Sequence, residues 1–278
     1  MRKWTESEWT DGRSEQHPPS RLREAVVLLG SFLVLLCFEM SLPSSSPIDA
    51  PAHVLELLAQ LHKLSLEQEV ALRANEDECF VSTNAPATAL GFDDLVRDKF
   101  IALDQDKCYF MYQLIRAAGI TNVVEAGTSF GVSTIYLALA ISKNKSFVGA
   151  GAGSPGVIAT ELEPSKALRA REHWEQCGED ITAQIDLRVG DLRDTLKENL
   201  PENIGLLLLD IWTPVALPTL KLVEPKLRPG AVVLADNTIT AAVGYTEFFE
   251  YINRPGSGFK TTKLPYSGGF EMIVYYPN

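Results

Sequence analysis

The stretch GLLLLDIW, residues 205–212, runs four leucines straight into an aspartate. Side chains alternate between the two faces of a strand, so an unbroken leucine run predicts a central strand buried on both sides. A carboxylate is costly to bury without a partner. Asp210 therefore belongs at an exposed edge of the sheet or holds something there.

Working outward from this strand, the pattern alternates. NVVEAG (122–127) reads as a strand and STIYLALAISK (133–143) as a helix. GVIATELEP is a strand, followed by a helix that Pro164 and Ser165 open and Gly178 closes. IDLRVGD is a strand, LRDTLKENL a helix, LPTLKLVEPKL mostly helix, GAVVLAD a strand and AVGYTEFFEYI a helix. FKTTKLP and FEMIVYY are joined by YSGG with no helix between them, so they form an antiparallel hairpin. Repeated strand–helix units predict an α/β fold: a doubly wound, mostly parallel, seven-stranded sheet with a C-terminal antiparallel hairpin.

Upstream, DQDKCYFMYQLIRAAGI (104–120) is a helix with an acidic start. Val54, Leu57, Leu58, Leu61 and Leu64 recur at helical spacing and predict one or two amphipathic helices over 53–78, packing on the main domain or on a second subunit. FVSTNAPATALGF (80–92) reads as a loop and SLPSSSPIDAP (41–51) as a linker. The segment 25–38, AVVLLGSFLVLLCF behind Arg21 and Arg23, falls short of the ~20 apolar residues of a membrane-spanning helix. A signal peptide or short membrane anchor is one reading of it. A packing helix, or a leader upstream of an alternative start at Met40, is the other. The expected division is a leader and linker at 1–52, a helical extension at 53–103 and the main domain at 104–278. The expected location is the cytoplasm, or a membrane or the secretory pathway if residues 25–38 act as an anchor.

Bulk properties narrow the function. The composition is that of a globular protein, 46% hydrophobic and 22% charged. A formal net charge of −11 disfavours nucleic acid as a partner. The four cysteines carry no CxxC pair, so a zinc site or disulfide framework is not expected. None of the four histidines sits beside a serine or cysteine nucleophile motif, which leaves a hydrolase triad without a base.

In an open α/β sheet, ligands gather outside the carboxyl ends of the strands. At the first such end, VVEAGTSFGVST (123–134) places Gly127 and Gly131 between strand and helix. Ser129, Ser133 and Thr134 stand near a helix N-terminus, whose free N–H groups favour a carboxylate or phosphate. The spacing is G-x-x-x-G, which leans away from a dinucleotide. A literal G-x-G-x-x-G does occur at Gly151, Gly153 and Gly156, but a strand follows it instead of a helix, so it reads as a loop. At the second end, Glu161 or Glu163 suits the ribose hydroxyls of an adenosine cofactor. At the third, Asp191 suits either the adenine edge or a helix N-cap. At the fourth, Asp210 and the Asp236–Asn237 pair lie on strands that, if adjacent, are ~4.8 Å apart. Two carboxylates and an amide oxygen are hard donors that suit Mg²⁺; helix caps are the alternative.

These segments resemble the S-adenosylmethionine-dependent, metal-dependent O-methyltransferases, in particular the catechol O-methyltransferase group. VVEAGTSFGVST is similar to the family's glycine-bearing first motif and TELEP to its acidic second-strand motif. LLDIW is similar to its Leu-Asp-x-Trp segment and LADN to its Ala-Asp-Asn segment. The resemblance covers about residues 104–278 and implies a Rossmann-like methyltransferase fold. It implies methyl transfer from S-adenosylmethionine to a hydroxyl of a small phenolic or catechol-like acceptor. Gly127 and Ser129 would line the methionine moiety with Glu125 nearby, Ser133 would meet its carboxylate, and Glu161 the ribose. Asp210, Asp236 and Asn237 would hold Mg²⁺, Asp210 would be catalytic, and Trp212 would wall the site. Catechol-methylating members carry a lysine base directly after this tryptophan, where this chain has Thr213. A threonine hydroxyl is a poor base at neutral pH, so the proton acceptor must be another group. A metal-independent methyltransferase, an NAD(P)-dependent oxidoreductase and a non-catalytic binding protein are the rival readings.

Overall fold

The computed structural model describes residues 46–74, 99–148 and 154–277. Residues 25–38, the loop at 80–92, and Gly151 and Gly153 of the glycine-rich stretch lie outside the described residues.

The chain enters through α1 (Ala52–Ala74) and α2 (Gln105–Ala117). Strands and helices then alternate: β1 (Val123–Ala126), α3 (Val132–Val148), β2 (Val157–Glu161), α4 (Pro164–Cys177), the short α5 (Glu179–Thr182), β3 (Ile185–Val189), the short α6 (Leu192–Thr195) and β4 (Ile204–Leu209). They continue with α7 (Ala216–Val223), β5 (Leu227–Asp236), α8 (Thr246–Asn253), β6 (Phe259–Leu264) and β7 (Phe270–Tyr275). The seven strands form one sheet in the order β3-β2-β1-β4-β5-β7-β6. The first five are parallel, and β7 inserts antiparallel between β5 and β6. The expected fold class is observed.

The leucine run is the middle of this sheet. Every residue of β4 is buried, because β1 flanks it on one side, β5 on the other, and helices cover both faces. Leu206 and Leu208 join the core on the α3 side, whereas Leu207 and Leu209 join the core under α7 and α8. The edge strand β6 carries Lys260, Thr261, Thr262 and Lys263 in exposed positions, a polar rim that discourages edge-to-edge pairing.

Helix α3 is apolar all round and correspondingly buried along Val132–Ile141. It has neighbours on every side because α1 packs over it. Val54, Leu58 and Leu61 of α1 enter the same core as Tyr136, and the buried His62 Nε2 lies 2.9 Å from the Tyr136 hydroxyl. Among the described residues, the expected amphipathic extension is the helix Ala52–Ala74, packed against α3; residues 75–78 lie outside them.

One expected helix is much shorter. LRDTLKENL is helical only at Leu192–Thr195. The Arg188 guanidinium collects the carbonyls of Thr195, Glu198 and Asn199 at 2.8–2.9 Å, and Asn199 adopts φ 55°. A side-chain donor thereby replaces the next helical turn.

The strand order reverses between β1 and β4, where one chain half runs towards β3 and the other towards β5. Such a reversal opens a crevice at the carboxyl ends of the strands.

Candidate functional site

The crevice between β1 and β4 is the point where the sequence motifs meet. A cleft there is lined by Leu103, Gly127, Ser129, Phe130, Ser133 and Asp210, among others. The glycine turn and the end of the leucine strand thus face one space. Residues 101–103, placed by the sequence in the helical extension, also line it.

Helix α4 holds the glycine turn in place. Trp174 Nε1 donates to the Gly131 carbonyl at 2.9 Å, and His173 Nδ1 lies 2.9 Å from the Phe130 carbonyl. Ser129 sits at φ 49°, a conformation that non-glycine residues adopt at a cost. Its N–H donates to Glu161 Oε2 at 2.7 Å, which fixes that unusual backbone. Glu161 Oε1 accepts the Glu163 N–H at 2.9 Å. Burial raises the Glu161 carboxyl's pKa, and these two N–H groups pull it back. Two of its acceptor positions are used by these N–H groups.

Glu125 and Ser133 are bonded to each other. Glu125 is fully buried, and its carboxyl accepts three hydroxyls: Ser133 at 2.6 Å, Thr134 at 2.6 Å and Thr128 at 2.9 Å. Burial pushes its pKa up to about 7 against the effect of those donors. The Ser133 hydroxyl proton is committed to Glu125, so an anion at this helix N-terminus would meet backbone N–H groups instead.

Asp191 takes the capping role. It precedes α6, its Oδ1 accepts the Arg193 N–H at 2.8 Å, and both oxygens receive the Arg193 guanidinium. That pairing holds its carboxyl below the usual range.

On the other side of the crevice, β4 and β5 are parallel neighbours with Leu209 level with Ala235. Asp210 and Asp236, one residue further on, therefore reach the sheet edge side by side. Burial, and then the Asp236 charge, push the Asp210 carboxyl up to about 8. Burial raises Asp236 as well, with Lys107 pulling it back. Asn237 stands at φ 59° and donates from Nδ2 to Asp236 Oδ2 at 3.2 Å, while its Oδ1 accepts the Thr240 hydroxyl at 3.2 Å.

Sequence reading missed Lys107. Its Nζ lies 2.6 Å from Asp236 Oδ1 and 2.8 Å from Asp104 Oδ2, and the residue is only 2% exposed. Burial lowers its pKa, but the hydrogen bonds to Asp104 and Asp236 outweigh this and the net shift is upward. The group is an ammonium. One signal was available: a lysine in the first turn of a helix opposes the helix dipole, so it needs an acidic partner elsewhere.

Whether a divalent cation suits this place follows from the charges. Among the described residues, no group of three or more His, Cys, Asp or Glu side chains is placed to hold a metal ion. The donor set is instead two aspartates and an amide. The Lys107 ammonium pairs with Asp104 and Asp236, and its charge also acts on Asp210. Two aspartates and an amide are hard oxygen donors, a chemistry that fits a divalent cation.

Thr213, in the position of the family lysine, lies against Gly244. A Cβ built on Gly244 would lie 1.7 Å from Thr213 Oγ1, so the hydroxyl is packed against the Gly244 backbone. Trp212 beside it is 46% exposed, as a wall residue would be. No described helix is long and apolar enough to cross a membrane.

Residues 124–238 match a family model described as a methyltransferase domain. The chain is 27% identical over 142 residues to the catechol O-methyltransferase of Niastella koreensis, covering 50% of this chain and 59% of that protein. It is 29% identical over 156 residues to the catechol O-methyltransferase of Mycobacterium tuberculosis, covering 56% of this chain and 65% of that one. The matches thus span about three-fifths of the relatives' length. The solved O-methyltransferase from Bacillus cereus in complex with SAH superposes with a TM-score of 0.54 at 20% identity, over 77% of this chain and 99% of that one. At that identity the likeness is one of fold. The expected resemblance to the catechol O-methyltransferase group stands in sequence.

Proposed function

We propose that this protein moves a methyl group from S-adenosylmethionine to a hydroxyl of a small, phenolic or catechol-like acceptor. The observation that carries the reading is the double position of Asp210. It lines the cleft with Gly127, Ser129 and Ser133, and it also forms one side of the Asp210–Asp236 pair. A methyl donor in the first and an acceptor at the second would be adjacent, and holding reactants together can contribute ~7–11 kcal/mol.

The contacts support the following roles. Gly127 and Ser129 line the methionine half of the cofactor, and the α3 N-terminus meets its carboxylate. Glu161, already oriented by two backbone N–H groups, accepts the ribose hydroxyls. Trp212 supplies a flat apolar wall for an aromatic ring. Asp210, Asp236 and Asn237 would hold Mg²⁺, which when bound would lower the pKa of the acceptor hydroxyl from about 10 for a phenol. The packing of Thr213 against Gly244 supports assigning the acceptor's proton to Asp210 instead.

A metal-independent methyltransferase is the second reading, favoured by the ammonium of Lys107 already paired with Asp236. Chelation separates the two. Methyl transfer from labelled S-adenosylmethionine to a catechol is expected to vanish after thorough EDTA treatment and to return with Mg²⁺. Activity that survives chelation assigns the protein to the second reading.

A further inference from the structure

Lys107 has an unusual position. It stands in the first turn of α2, where the dipole opposes a cation, yet it is almost wholly buried. Burying an ammonium requires compensation, and Asp104, three positions earlier, and Asp236, at the end of β5, supply it at 2.8 and 2.6 Å. The Phe270 ring on β7 closes the remaining side, 5.8 Å from Nζ. The contact bridges 129 positions of sequence and ends on one of the three side chains proposed to hold a divalent cation.

The amide of Asn237 carries a second mark. Its NH₂ group faces Asp236 Oδ2, and its carbonyl oxygen faces Thr240 instead of the carboxylates. An amide oxygen turned towards an ionised Asp236 would place two acceptors face to face, a repulsion that an intervening cation relieves. The site is thus arranged around the ammonium, with the amide in the orientation that suits it.

Resting on the metal-dependent reading above, we propose that Lys107 is a built-in counter-ion that competes with the divalent cation for Asp236. The lysine satisfies Asp236 when no metal is bound. On metal binding it withdraws to Asp104, and the Asn237 amide turns its oxygen inwards. Asp104 is 40% exposed and remains as the alternative partner, which gives the ammonium a place to go. The arrangement keeps a crowded carboxylate pair folded without metal, and its consequence is weaker metal affinity, because a unit positive charge a few ångströms away repels the ion.

The test is calorimetric titration of the full chain with MnCl₂, for wild type, Lys107→Met and Lys107→Arg. Lys107→Met is expected to bind Mn²⁺ about tenfold tighter or better, and Lys107→Arg, which keeps the charge, within about threefold of wild type. Wild type that binds Mn²⁺ with Lys107→Met no tighter overturns the competition and leaves the metal reading standing. No binding by any of the three overturns the metal reading, and the competition with it. Should Lys107→Met fail to fold, a Mn²⁺-loaded crystal of wild type decides. Lys107 Nζ beyond hydrogen-bond reach of both Asp236 oxygens supports the exchange, and Nζ still within reach overturns it.

Discussion

Gly127 and Asp210 are in contact through their backbones: a Cβ built on Gly127 would lie 1.9 Å from the Asp210 carbonyl oxygen. The turn after β1 and the end of β4 are therefore pressed together with no space for a side chain. The Asp210 N–H also donates to the Ala126 carbonyl at 3.0 Å, which fixes the two ends in register. This contact brings a cofactor turn and a carboxylate pair, 83 positions apart, to one crevice.

Gly127→Ala should be among the most damaging single changes. The position combines φ +91° with a backbone obstacle that cannot rotate aside. Strain alone costs on the order of 1–3 kcal/mol, and displacement of β4 adds to it. Urea unfolding should show a loss of about 3 kcal/mol or more, with S-adenosylmethionine binding weakened in whatever fraction stays folded. Wild-type stability would contradict the close approach.

Glu125 makes stability depend on pH in a definite direction. Its pKa rises from 4.5 unfolded to about 7 folded, so between these values the folded state holds more protons. The contribution is full below about pH 4.5 and is lost as pH rises to about 7, a difference on the order of 3 kcal/mol. Glu125→Gln should remove that part of the slope. The comparison is the denaturation midpoint of both proteins from pH 5 to pH 8; parallel curves would rule out a shifted Glu125.

Asp191→Ala distinguishes the cap from the adenine contact. Loss of the bond to the Arg193 N–H should cost about 1 kcal/mol of stability and leave the cofactor dissociation constant unchanged. A tenfold weaker affinity for S-adenosylmethionine, measured by calorimetry, would restore Asp191 to the cofactor site.

Gly244→Ala should act on the acceptor alone. The added methyl would overlap Thr213 Oγ1 and push the segment that carries Trp212. A shift of about 1 Å at the acceptor wall can cost up to about a hundredfold in rate. kcat/KM for the acceptor should fall at least tenfold while cofactor affinity holds. Unaltered acceptor kinetics would mean that Trp212 does not position the ring.

Much of this was legible in one dimension. The leucine run, the alternation of strand and helix and the YSGG turn specified the sheet, because burial on both faces and hairpin geometry leave local signatures. Asp210, Asp236, Asn237 and Glu161 were marked by a polar residue ending an apolar strand. That signal survives because a strand's carboxyl end is also its edge. The short α6 was not legible, since the arginine that replaces its last turn comes from the preceding strand. The partners of Ser133 and Asp191 were set by their neighbours: Glu125 accepts the Ser133 hydroxyl, and Arg193 pairs with the Asp191 carboxylate.

The sequence by itself determined the layers and the strands' polar ends, since hydrophobic periodicity and glycine placement act over a few residues. Only the tertiary structure decided that Lys107 would neutralise Asp236, that Thr213 would turn its hydroxyl against Gly244, and that α1 would cover α3. Those outcomes depend on distances between residues far apart in the chain. Electrostatic pairing and close packing are set by such distances, and local pattern carries no record of them.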